Sequence, residues 1–195
     1  MYQTKDTPPD ARSDLTHDTL NAIKSWIKDS TPINTALRYD KNHEYFKGKP
    51  GLYEKAIIEA ELLTEAINNS TLQQEYTVSR GLGSYDVNKI KQALDEKRNS
   101  GTSPLLVDDG FTAVSYQNDV AFGYSEADNE GERYLLISTL QRGDRALFIG
   151  NESTLSNRKE GEILLQKGSR YYITRMKTYI AVEGEVIHQV FVEFI

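Results

Sequence analysis

Glu160 and Glu162 stand two residues apart in the run Glu160-Gly161-Glu162-Ile163-Leu164-Leu165. On a strand, that spacing projects both carboxylates to one side. Two acids so close repel each other unless they face water or a cation. Paired carboxylates are also what a substitution through an oxocarbenium-like transition state requires: one stabilises the sugar cation, and the other handles a proton or positions the nucleophile. The ordinary alternative is a charged strand start guarding a sheet edge. In Tyr76-Thr77-Val78-Ser79-Arg80-Gly81, Arg80 ends the row begun by Tyr76 and Val78. A guanidinium at the rim of an apolar face needs an anion, either a protein carboxylate or a ligand phosphate. In Gly110-Phe111-Thr112-Ala113-Val114-Ser115-Tyr116, the Ser115 hydroxyl shares a face with Phe111 and Ala113. A lone strand serine is most often a small, satisfied polar group.

Other chemistries fail on residue type or spacing. The chain has no cysteine, which excludes thiol nucleophiles, thiolate zinc sites and iron-sulfur ligation. His17, His43 and His188 carry no local signature, and no Gly-x-Ser-x-Gly elbow is present. Arg80-Gly81-Leu82-Gly83-Ser84 lacks the third glycine of a dinucleotide fingerprint. There is no phosphate-loop Gly-Lys-Ser/Thr, no zincin pair and no calcium-loop spacing, so no metal site is expected.

The elements that must position these residues fall into two halves of one domain spanning 1–195. Helical spacing governs about 13–97, and short β runs govern about 105–195. Leu15, Leu20, Ile23, Trp26 and Ile27 form one apolar stripe, predicting a helix that ends before Thr31-Pro32. A second helix runs from Pro50-Gly51 to Asn68-Asn69-Ser70, and a shorter one covers Val87 to Leu94. Strands are expected at Tyr76–Gly81, Phe111–Tyr116, Tyr134–Leu140, Ala146–Ile149, Ile163–Leu165, Tyr171–Met176 and Val186–Phe194. Gly150 to Lys159 reads as a long polar loop, and Ser125 to Glu132 as an acidic, solvated turn. The order of helices then strands predicts an α+β fold. With 195 residues, 38% hydrophobic, this is one ordinary soluble domain. A net charge of −6 argues against a protein whose main task is gripping nucleic-acid phosphates. Apolar runs of about four or five residues are far short of the roughly 18 to 20 needed to cross a bilayer, so no membrane association is expected. Met1 to Ser13 is too polar for a secretory signal.

The order of the three stretches is more specific than any one of them. An arginine at a strand end, Phe-x-x-x-Ser in a second strand and Glu-x-Glu before an aliphatic strand resemble the mono-ADP-ribosyltransferases of the arginine-serine-glutamate class. The likeness is strongest to the catalytic domains of actin-modifying binary toxins and to phage and bacterial effectors. Pro32-Ile33-Asn34-Thr35-Ala36-Leu37-Arg38 is similar to the family's Ile-Asn-x-x-Leu-Arg segment, and Glu160 to Ile173 to its C-terminal pattern.

The resemblance implies helices packed on two roughly perpendicular β-sheets with an NAD cleft between them, NAD being the co-substrate. It assigns Arg80 to the NAD phosphates, with Arg38 and Arg133 adding contacts, and places Asn34 in the same cofactor-binding segment. Gly81 would offer backbone groups to the nicotinamide carboxamide, and Phe122, seven residues after Ser115, would lie against the nicotinamide. Ser115 would orient Glu162, Glu162 would bond the ribose 2′-hydroxyl, and Glu160 would engage the acceptor. The Gly150 to Lys159 loop would recognise the target. Two departures stand out: Ala113-Val114-Ser115 replaces Ser-Thr-Ser, and Asn157 replaces the aromatic of actin-modifying relatives. A glutamate at 160 points to an arginine side chain of a target protein as acceptor. A nucleic-acid or other non-arginine acceptor is the second reading, and a degenerate binding module the third. The expected site of action is the cytoplasm of a target or infected cell.

Overall fold

The computed structural model describes residues 15–150, 161–181 and 184–195. Helix α1 (His17–Lys28) begins where the Thr16 side chain accepts the Thr19 backbone N–H at 3.2 Å. It buries Ala22, Ile23 and Trp26. Helix α2 (Thr31–Arg38) follows at once, where sequence periodicity predicted only the end of α1. Pro32 lies in its first turn, where a missing N–H leaves no hydrogen bond unmade. Ile33 and Ala36 face the core, while Asn34 and Arg38, four residues apart, share another face. Helix α3 (Leu52–Asn68) packs Ala56, Ala60, Leu63 and Ile67 against α1 and α2.

Strand β1 (Tyr76–Gly81) leads into α4 (Ser84–Ser100), twice the predicted length because its ends are charged and solvated. Strands β2 (Leu105–Asp108) and β3 (Thr112–Ser115) come next, then the short helix α5 (Asn118–Gly123). The rest is β4 (Arg133–Leu140), β5 (Ala146–Gly150), β6 (Glu162–Leu165), β7 (Ser169–Ile180) and β8 (Val186–Phe194). Neither β2 nor α5 shows a periodic signal in sequence; both are too short to complete one.

The strands are ordered β2-β7-β8-β4-β1-β3-β6-β5. The two sheets expected from the resemblance are the two halves of this ladder, joined between β1 and β3 at the single pair Ser79 and Ser115. Helices α1 to α3 cover one half through Phe111, Leu147, Ile149 and Leu164. Helix α4 covers the other through Leu136, Ile173, Val190 and Val192. Val78, Val114, Leu140, Ala146 and Ile163, drawn from both halves, form a third cluster. Among the described residues, no helix is long and apolar enough to cross a membrane.

Candidate active site

At the seam between β1 and β3 a cleft of about 400 Å³ opens. That is within the usual range of roughly 300–1,000 Å³ for a ligand site. Its walls come from the C-terminal end of α1 (Trp26, Ile27), the start of α2 (Asn34), the end of β1 (Ser79, Arg80, Gly81), β3 (Ala113, Ser115), α5 and the first residue of β6, Glu162. The antiparallel ladders set Ser79 opposite Ser115, and Ser115 opposite Glu162. Directly paired residues share a face, so two hydroxyls and a carboxylate form one row across three strands. The Ser79 hydroxyl donates to Asn118 Oδ1 at 2.8 Å, which ties the row to α5. The Ser115 hydroxyl accepts the Gln117 backbone N–H at 2.9 Å.

Two glycines make this geometry possible. A Cβ on Gly81 would lie 2.1 Å from the Ala121 carbonyl oxygen and 2.4 Å from the Ser125 nitrogen, so only glycine lets α5 sit against β1. Gly161 has φ +55°, and a Cβ there would meet the Tyr116 ring at 2.7 Å. Strand β6 starts at the next residue, Glu162. Glu160 and the loop before it lie outside the described residues.

Arg80 is anchored by two carboxylates. Its Nη1 donates to Asp108 Oδ2 at 2.9 Å and its Nη2 to Asp86 Oδ2 at 3.2 Å. Arg38 Nη2 donates to the other Asp108 oxygen at 2.8 Å. Asp108 also accepts the Gly110 N–H and the Thr112 hydroxyl, each at 3.1 Å. It is only 9% exposed, and burial opposes its charge. The Arg80 charge and the bonds from both guanidiniums prevail, holding its carboxyl below the usual carboxylate range. Nearby, burial and the Asp86 charge push the Tyr171 phenol up to about 12, so it stays protonated.

Of the residues read from sequence, Asn34, Arg80, Gly81, Ser115 and Glu162 line the cleft together. Asn34 also holds its wall: its Oδ1 accepts the Phe111 N–H at 2.9 Å, and its Nδ2 donates to the Phe111 carbonyl at 3.4 Å. Arg38 joins through Asp108. Phe122 and Arg133 are not among the lining residues. Their side chains stack on each other at 5.3 Å, and Arg133 pairs with Glu185 and the Ser125 carbonyl. His188 is buried between Glu132 and Thr178, in keeping with its lack of a catalytic signature. Among the described residues, the carboxylates of Asp128, Glu130 and Glu132 cluster, but the Lys91 ammonium already lies 2.8 Å from Asp128 and 3.0 Å from Glu130.

Several residues of the site escaped the sequence reading, Trp26, Asp108 and Tyr124 among them. Trp26 reads as one member of an apolar stripe, yet its indole Nε1 donates to Glu162 Oε1 at 2.8 Å. Asp108 stands in sequence with no local sign of its arginines. Tyr124, an exposed aromatic on the cleft wall, follows a helix too short to predict.

A sequence profile of the ADP-ribosyltransferase exoenzyme family matches residues 4–190. A comparison of the sequence with curated proteins returned no match. Among solved structures, the chain is similar to Plx2a, an ADP-ribosyltransferase toxin from Paenibacillus larvae. The TM-score is 0.70 at 21% identity, over 94% of this chain and 89% of Plx2a. It is also similar to C2-I, the enzymatic component of the C2 toxin from Clostridium botulinum, with a TM-score of 0.68 at 21% identity. That match covers 95% of this chain but 45% of C2-I, so the chain spans less than half the length of that relative. The ADP-ribosyltransferase Vis, solved in complex with agmatine, matches with a TM-score of 0.61 at 19% identity, over 93% of this chain and 76% of Vis.

Proposed function

Because the chain belongs to the ADP-ribosyltransferase exoenzyme family, we propose that it transfers ADP-ribose from NAD to an arginine side chain of a target protein. The observation that carries this reading is the row of Ser79, Ser115 and Glu162 beside Arg80 in one cleft on that family's fold. The residues present suit a dinucleotide. Arg80, braced by Asp108 and with Arg38 on the same carboxylate, offers fixed positive charge to a diphosphate. Gly81, on the cleft wall, offers backbone groups to the nicotinamide carboxamide. Bound NAD supplies a cationic nicotinamide leaving group, and with it an electrophilic ribose carbon.

Glu162 acts where positive charge develops. A fixed carboxylate beside the ribose favours the transition state over the ground state, which is what accelerates the chemical step. Ser115, directly opposite on β3, orients it. Glu160 engages the acceptor. A carboxylate complements a guanidinium in charge and in its two-pronged geometry. The structural neighbour Vis, solved with agmatine, supports a guanidinium acceptor, because agmatine carries that group. The target protein is encountered in the cytoplasm of the cell the enzyme acts on.

The test is incubation with labelled NAD, alone and with a cell lysate. The expected result is nicotinamide release and a labelled, protease-sensitive product, with mass spectrometry locating ADP-ribose on arginine. Label on a protease-resistant, nuclease-sensitive product would replace the protein acceptor by a nucleic acid. Absence of both release and product would overturn the enzymatic reading.

A further inference from the structure

We propose that Trp26 is a positioning residue for the candidate catalytic carboxylate: its indole N–H holds one oxygen of Glu162 and so fixes how that carboxylate sits in the cleft. The inference rests on the functional reading above and adds to it a residue from the first helix.

The contact is built from three sides. Trp26 is 4% exposed, and its ring stands edge-on against Phe111 at 5.8 Å, with an interplanar angle of 86°. Phe111 is in turn clamped by Asn34 through both backbone groups. The preceding residue, Ser25, donates its hydroxyl to Glu59 of α3 at 2.7 Å, which sets the rotation of α1 about its axis. The indole therefore has little freedom, and its N–H meets Glu162 Oε1 at 2.8 Å. An indole nitrogen is a donor only, so it can hold an oxygen but cannot compete for a proton. A bond from a neutral donor to a carboxylate is charge-assisted, and such bonds are short and orienting. The bond joins residues 136 apart in the chain and ends on a carboxylate that lines the cleft.

Trp26 is the sole tryptophan, so any tryptophan analogue supplied during expression changes this position alone. A benzothiophene analogue keeps the shape of the ring and replaces the N–H by sulfur. It is expected to lower kcat for NAD hydrolysis by about 10- to 100-fold, the loss of one charge-assisted hydrogen bond. KM for NAD should stay within about 3-fold, because the bond acts on orientation and not on uniform binding. A second readout needs no activity. In ¹⁵N-labelled protein the single indole resonance should move upfield and exchange faster with solvent on Glu162→Gln, relative to the wild type. Wild-type protein that hydrolyses NAD, with an analogue equally active, overturns the positioning role and leaves the functional reading intact. An indole resonance unmoved by Glu162→Gln overturns the hydrogen bond itself. A wild type that neither releases nicotinamide from NAD nor labels a product in lysate overturns both readings.

Discussion

Asp108 does two jobs for the candidate site, neutralising a pair of arginines and aiming them. Removing one partner of a buried, hydrogen-bonded charge cluster leaves the others uncompensated, which typically costs about 3–5 kcal/mol. Asp108→Asn is therefore expected to lower the melting temperature clearly at neutral pH. The dependence on pH follows from the direction of its shift. Its carboxyl is held below the usual range in the folded state, so its stabilisation is complete above an unfolded value of about 4 and fades as pH falls through the lower folded value. Melting curves of wild type and Asp108→Asn should thus converge below about pH 4, and a constant gap down to pH 2 would contradict the assignment. Glu160 and Glu162 divide differently. On the proposed division of roles, with Glu160 at the acceptor and Glu162 at the ribose, Glu160→Gln should reduce transfer to protein much more than hydrolysis of NAD; equal loss of both activities would remove that division. These pairings were unevenly legible. The carboxylates and Arg80 interrupt β alternation and so announce themselves. Asp108 and Trp26 carry no such signal, because their partners lie 28 to 136 residues away.

The site depends on where elements come close. Helix α5 lies against the end of β1 because residue 81 has no side chain, and Gly81→Ala would force a Cβ to within 2.1 Å of the Ala121 carbonyl. Overpacking of this kind typically costs about 1–3 kcal/mol. The expected outcome is a lowered melting temperature with loss of NAD hydrolysis, as α5 and Tyr124 withdraw from the cleft. An alanine variant with wild-type stability and activity would show that α5 does not set the cleft wall. Long elements were readable from their periods: α1, α3, β1, β4 and β8 fall where apolar residues recur at helical or strand spacing. The short ones were not. α2 carries in its first turn a proline that reads as a breaker, while β2 and α5, at four and six residues, are too short to show a period.

At the scale of the whole molecule, the ladder bends its two halves around a shared core, and the cleft opens where they are joined by one residue pair. The helices supply what the sheet lacks: α1 brings the indole, α2 brings Asn34 and Arg38, and α4 brings Asp86. In a chain without cysteine, the cleft is built from carboxylates, hydroxyls, arginines and one indole. The α+β class follows from the order of helical and stranded patterns, whereas the joining of the sheets at Ser79 and Ser115 is a matter of register that no single segment encodes. The proposed chemistry depends on Glu162 as the group that stabilises the positive charge left on the ribose as nicotinamide departs. The most direct measurement is the rate of nicotinamide release from NAD by wild type and by Glu162→Gln, compared at equal folded concentration. Release by the wild type that falls by about 10²- to 10³-fold in the variant is the predicted result. Equal release by the two proteins would contradict the account.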